Sequence, residues 1–364
     1  MSKTKSFVDK QNEKIKFLES YNVSFLRVYE YELNKKNDPD CKQKVDKKRE
    51  QLAKRLEKKK ASYEARNTAN AKRIWEIDFI RGLVIIGMLI DHFFFDFVGL
   101  FTKHNFINLP SFYLSIGEFA NLYWVHPVRV VFRFIGLFFL LFLSGISTNF
   151  SKNSLKRSAF VIGAGAIISI AFIVVSNVTG DIEDLVLMGA VSCIGVCMLI
   201  YSLYKMAFYR FQKVYKWLTL GIALAILIPW IFISRSVATN TDNFIFYYNG
   251  YYSSIFHGPR GRYRSMNDVW PNLGGILLGT KYFGSDWMGL FPNLGYFFLG
   301  GFVGETIYKN KTSLLGKYNE KFNRSTLAVV ILGRYSLWFY LLHQVIYIII
   351  IGGLALIMGA QINF

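Results

Sequence analysis

Asp78-Phe79-Ile80-Arg81, an apolar run from Gly82 to Ile90, and then Asp91-His92-Phe93-Phe94-Phe95-Asp96 decide how this chain is read. The segment is long and apolar enough to be a membrane helix, and charge inside hydrocarbon is too costly to be carried without a task. Arg81 and His92 are eleven residues apart, about three helical turns. They therefore project from nearly the same face, with the imidazole about 16 Å deeper than the guanidinium.

Working outward, the rest of the chain fits a membrane protein. Of its 364 residues 52% are apolar and 17% aromatic, and the mean hydropathy is positive despite 43 Lys/Arg and 24 Asp/Glu. The apolar residues come in blocks, which predicts an all-α polytopic membrane protein with about seven spans, near 79–101, 128–148, 159–177, 185–204, 217–234, 286–307 and 335–359. Two shorter apolar runs, 271–283 and 326–333, cannot cross alone and read as re-entrant or half-helical pieces. Loops 149–158, 205–216 and 308–325 are basic, whereas 102–127 and 178–184 hold only Lys103 between them. That asymmetry predicts a multi-pass protein of the cell membrane with a cytoplasmic N-terminus. No secretory signal peptide is visible, so the first span is expected to direct insertion. Gly275 with Gly279, and Gly300 with Gly304, are spaced for close helix–helix approach.

Residues 1–73 form a separate region, with 21 Lys/Arg against 11 Asp/Glu; residues 74–364 form the membrane domain. Helices at about 10–34 and 42–68 flank the breaker Asn37-Asp38-Pro39-Asp40 and predict a basic cytoplasmic hairpin. Ile15, Leu18, Phe25 and Tyr29 line one face of the first; Val45, Leu52 and Leu56 line the second. Its expected partners are anionic lipid or another protein; charge alone, without a motif, does not argue for nucleic acid. Cys41, Cys193 and Cys197 give no disulfide framework, because two thiols one helical turn apart have the wrong geometry. No metal-ligand cluster is apparent in the sequence.

Further motifs follow in order: Phe142-Leu143-Ser144-Gly145-Ile146-Ser147, Gly195 to Leu199, Phe291-Pro292 through Gly300, and Leu332-Gly333-Arg334-Tyr335-Ser336-Leu337 with Tyr340-Leu341-Leu342-His343-Gln344. Together with Arg73 to Asp96, this series over about 73–355 resembles the bacterial membrane family related to the catalytic domain of heparan-α-glucosaminide N-acetyltransferase. The Arg81–His92 spacing is also a mark of the wider class of transmembrane acyltransferases. The resemblance implies transfer of an acyl group, usually acetyl from acetyl-CoA in the cytoplasm, to a sugar hydroxyl or amine of a glycan or glycolipid on the other side. It also places an acyl-accepting histidine of the animal enzyme close to His104.

The chemistry suits these residues. Acyl transfer needs a base or a nucleophile, and imidazole serves as either near neutral pH. His92 is the favoured candidate, with Asp96 one turn on to fix its tautomer. Arg81, joined by Arg334, fits a clamp for the phosphates of coenzyme A. His257, Arg260 and Arg262, in a tyrosine-rich outer loop, are candidate acceptor-binding residues, as is His343. Against these stand structural readings: a His–Asp network locking helices, a snorkelling Arg81, and an interfacial aromatic belt. The other functional readings are a proton-coupled transporter or flippase, and a scaffold acting through the basic hairpin. Homodimerisation is a further partner expectation.

Overall fold

The computed structural model describes residues 7–71, 73–99, 101, 106–179, 182, 185–237, 265–279, 283, 287–315 and 326–362. They fall into two units, Met1–Arg73 and Ile74–Phe364.

The first unit is a helical hairpin of α1 (Phe7–Lys35) and α2 (Cys41–Ala71). Asn37 turns the chain with a left-handed φ of 51°, a conformation that asparagine tolerates better than most residues. Asp38 then accepts from the Asp40 amide (2.9 Å) and from Lys44 Nζ (2.6 Å). That lysine bond holds the Asp38 carboxyl below the usual carboxylate range. Val45 is buried, and Lys60 reaches back to Glu19 at 2.6 Å.

Among the described residues, the second unit is all-α apart from one two-residue strand pair. Its elements are α3 (Trp75–Gly99), β1 (Phe106–Ile107), α4 (Ser111–Val125), α5 (Pro127–Thr148), α6 (Ser154–Thr179), α7 (Ala190–Phe208) and α8 (Gln212–Val237). Short α9 (Met266–Val269) and α10 (Leu273–Leu278) follow, then α11 (Leu290–Thr306), α12 (Leu327–Arg334), α13 (Ser336–Tyr347), α14 (Gly353–Ile357) and β2 (Gln361–Ile362).

Six helical stretches among the described residues are long and apolar enough to cross a membrane: Trp75–Gly99, Pro127–Thr148, Ser154–Val174, Ala190–Phe208, Val214–Phe232 and Ser336–Ile357. The remaining expected span, 286–307, appears as α11, whose 17 residues cover about 25 Å. The strand pair argues that α11 crosses too. Phe106 pairs with Ile362 and Ile107 with Gln361, so the two chain segments lie on one side of the bilayer. An even number of crossings must separate them, and among the described residues the number is even only with α11.

Glycine builds the centre of this bundle. A Cβ on Gly145 would sit 2.1 Å from the Phe297 carbonyl oxygen, and one on Gly300 would sit 2.0 Å from that of Phe142. Helices α5 and α11 thus touch backbone to backbone, the approach expected of Gly300 and its neighbours. Gly279 also approaches backbone closely, since a Cβ there would lie 2.5 Å from the Phe291 carbonyl oxygen of α11, and it has a second task. It ends the six-residue α10 in a left-handed conformation (φ 101°) that few side chains adopt. At the basic-loop end of the bundle, Asn149 donates to the Gly301 carbonyl (2.8 Å) and accepts from Tyr201 and Lys205, and Lys205 pairs with Glu305 at 2.6 Å.

Helix α4 was not expected, since 102–127 reads as a loop. At 15 residues it is too short to span the bilayer. It runs back along α3, with Tyr113 against Phe97 (5.6 Å between rings) and Tyr123 against Phe94 (4.6 Å). His126 caps α5 by accepting from the Val128 amide at 3.3 Å, and Pro127 opens the helix.

Candidate active site

Helix α3 carries the site, and two different partners hold its two halves. The N-terminal half, inner in the sense that it lies at the basic-loop end of the bundle, meets α12. A Cβ on Gly82 would lie 1.9 Å from the Val329 carbonyl oxygen, and one on Gly333 would lie 1.8 Å from that of Asp78. Each glycine is the sequence neighbour of an arginine, so the close crossing of the two glycines brings Arg81 and Arg334 together. Both reach Asp78: Arg81 Nη1 at 3.6 Å and Arg334 Nε at 3.4 Å. Arg81 also donates to Ser147 Oγ (2.6 Å) and to the Leu143 carbonyl (3.3 Å) of α5. Two guanidinium groups share one carboxylate, a trio with one positive charge in excess, while Glu76 is engaged separately by Ser313 and the Leu314 amide.

The outer half of α3 meets α13. Tyr335 breaks the helix between α12 and α13, and α13 lies along α3 with His343 against His92, Gln344 against Asp96 and Tyr347 donating to the Leu89 carbonyl at 3.1 Å. The two imidazoles stand edge to face, with centroids 4.7 Å apart and planes at 85°. His92 Nδ1 lies 2.9 Å from the Met88 carbonyl, and His343 Nδ1 lies 2.7 Å from that of Tyr340. A carbonyl only accepts, so both Nδ1 atoms carry the hydrogen in these bonds. In the neutral rings both Nε2 atoms then bear lone pairs. His343 Nε2 is buried with no hydrogen-bond partner among the described residues. A lone-pair nitrogen of this kind can accept a proton or attack a carbonyl carbon.

Several expected roles change. Asp96, expected to fix the His92 tautomer, does not bond to it: Met88, one turn before His92, supplies that contact. Asp96 is instead fully buried and accepts from Gln344 Nε2 at 2.5 Å. Asp91 turns to the other side, where Arg129 holds it in a two-pronged ion pair (2.7 and 2.5 Å) and Tyr123 donates at 3.1 Å. The Arg129 guanidinium lies 3.5 Å from the Trp124 ring centroid, which clamps the α4–α5 elbow beside His92. Sequence reasoning missed Arg129 and Gln344; a charged residue two positions into a span was the available signal for the first. His104, His257, Arg260 and Arg262 lie outside the described residues.

A membrane-embedded helix bundle with a histidine pair on one side and an arginine pair about three turns away has the composition of a transmembrane group-transfer protein. The family described as Heparan-alpha-glucosaminide N-acetyltransferase, catalytic, matches residues 73–345, three quarters of the chain, and the chain belongs to it. The match takes in Asp78, Arg81, His92, Asp96, Arg334 and His343. At the level of the family this is a membrane acetyltransferase type of protein. No curated protein and no solved structure matches the chain.

Proposed function

We propose that this protein moves an acyl group, acetyl in the first instance, from acyl-CoA in the cytoplasm to a sugar hydroxyl or amine of an extracytoplasmic glycan or glycolipid. The observation that carries the reading is the division of α3 between two arginines at one end and a lone-pair imidazole about 16 Å further along. Arg81 and Arg334 together exceed the single charge of Asp78, which suits them to phosphate, and the pantetheine arm of coenzyme A is a flexible tether that carries the thioester inward. His92 Nε2 takes the proton of the acceptor as its oxygen or nitrogen attacks the thioester carbon. The C–S bond breaks, the C–O or C–N bond forms, and the proton passes to the departing thiolate. Asp96 acts through Gln344 on the register of α13, and so on the placing of His343. His257, Arg260 and Arg262 are assigned to the acceptor, together with His343.

The basic loops support a cytoplasmic N-terminus, and with seven crossings the C-terminal strand then lies outside. Purified protein in nanodiscs, supplied with acetyl-CoA and envelope glycans, tests the reading through release of free thiol. Release by wild type that is absent in His92→Ala supports it; no binding or consumption of donor by wild type overturns it.

A further inference from the structure

The hairpin lies outside the residues assigned to acyl transfer. Ile15, Leu18, Phe25 and Tyr29, the face expected from the sequence, are half-buried along α1, on the side turned to α2. The structure shows a second stripe on α1, Phe17, Tyr21, Ser24, Val28 and Tyr31, which repeats at steps of four and three residues. Its apolar members stay open to solvent: Phe17 is 69% exposed, Tyr21 56%, Val28 62% and Tyr31 66%. Such spacing keeps side chains on one helical face, here about 21 Å long. Isolated exposed apolar residues need no explanation, but a periodic row does.

We propose that this stripe lies against an anionic phospholipid surface, with its aromatic rings at headgroup level. Three observations on the molecule select that occupant. Residues 1–73 carry a net charge of +10, which draws the hairpin to anionic headgroups and opposes pairing with a second copy of itself. Exposed Lys14 stands at one end of the stripe with Glu13 beside it, and exposed Lys35 at the other with Glu32 near it, so a long cationic stem at each end can reach the headgroup layer. Only residues 72–74 separate the end of α2 from the start of the first span, so the chain tethers the hairpin to the membrane and raises its effective concentration there.

The test uses the full chain in nanodiscs holding one copy each, built either from neutral phosphatidylcholine or from a mixture with phosphatidylglycerol. A fluorophore at Ser24→Cys, in a Cys41→Ser background, reports access of an aqueous quencher. Quenching is expected to fall about threefold in the anionic discs and to recover at about 1 M salt, where electrostatic attraction is screened. Adding Phe17→Ser and Tyr31→Ser is expected to restore quenching without salt. Equal quenching in both lipids overturns the proposal. So does protection found only in detergent at high protein concentration together with cross-linking between copies, which makes the stripe a chain–chain interface. Because no activity is read, this result stands or falls apart from the acyltransferase reading.

Discussion

The inner and outer halves of α3 solve the problem of polar groups in a membrane in opposite ways. At the inner end, backbone contact at Gly82 and Gly333 forces two arginines onto one carboxylate, and Arg81 gains Ser147 and a carbonyl as well. At the outer end, α13 meets α3 through its side chains, and His343 Nε2 is left buried without a hydrogen-bond partner among the described residues. Buried polar atoms are nearly always satisfied in folded proteins. The difference therefore separates a half whose two guanidinium groups are held on a shared carboxylate from a half that keeps an imidazole lone pair open for proton transfer.

The largest expected effect would break the outer half. Arg129→Met leaves Asp91 a buried carboxylate without its cation, at a cost of about 3–5 kcal/mol, seen as a lower melting temperature in detergent. Asp91→Asn combined with Arg129→Met is expected to recover most of that loss, because no lone charge remains. In the inner half, Gly82→Val places a branched side chain where even a Cβ would be 1.9 Å from a carbonyl oxygen. About 3 kcal/mol of stability is expected to disappear, and Arg334 to be displaced with it, visible as weaker binding of donor.

A smaller effect sharpens the contrast. Gln344→Leu strips Asp96 of its hydrogen-bond donor, and about 1–2 kcal/mol is expected in thermal stability, without loss of donor binding at the inner end. The smallest lies in the hairpin, where a carboxylate faces a cation in water instead of in the membrane. The Lys44 bond lowers the Asp38 carboxyl, so its stabilising effect is present above the ordinary carboxylate range and fades as pH falls through the lowered value. Amide exchange at residues 36–44 is expected to quicken in Asp38→Ala near pH 6 and to match wild type once both are well below pH 3.

What the sequence discloses follows from the range of each physical signal. Arg81, His92 and Arg334 stand out locally, as ionisable groups inside or beside apolar runs, and the spans follow from hydropathy. The partners do not stand out, because Asp91 with Arg129 and Asp96 with Gln344 are contacts between helices far apart in the chain. One turn of helix makes Asp96 the natural neighbour of His92, yet the Met88 carbonyl, equally close on the other side, takes the Nδ1 hydrogen. Helix α4 escapes for a different reason: its 15 residues fall below the length at which hydropathy signals a crossing. Gly82 and Gly333 read as neighbours of arginines, and their role as the point of contact between α3 and α12 emerges only once the crossing is seen.

The central claim is that the two halves of α3 divide one reaction between donor binding and proton transfer. Steady-state thiol release from acetyl-CoA, measured with wild type, His92→Ala and Arg81→Ala in nanodiscs, tests it most directly. The expected result is a loss of kcat of about 10²–10⁴-fold in His92→Ala with donor binding intact, and a raised KM for donor in Arg81→Ala with much of kcat kept. Full activity in His92→Ala, or an unchanged KM in Arg81→Ala, contradicts the account.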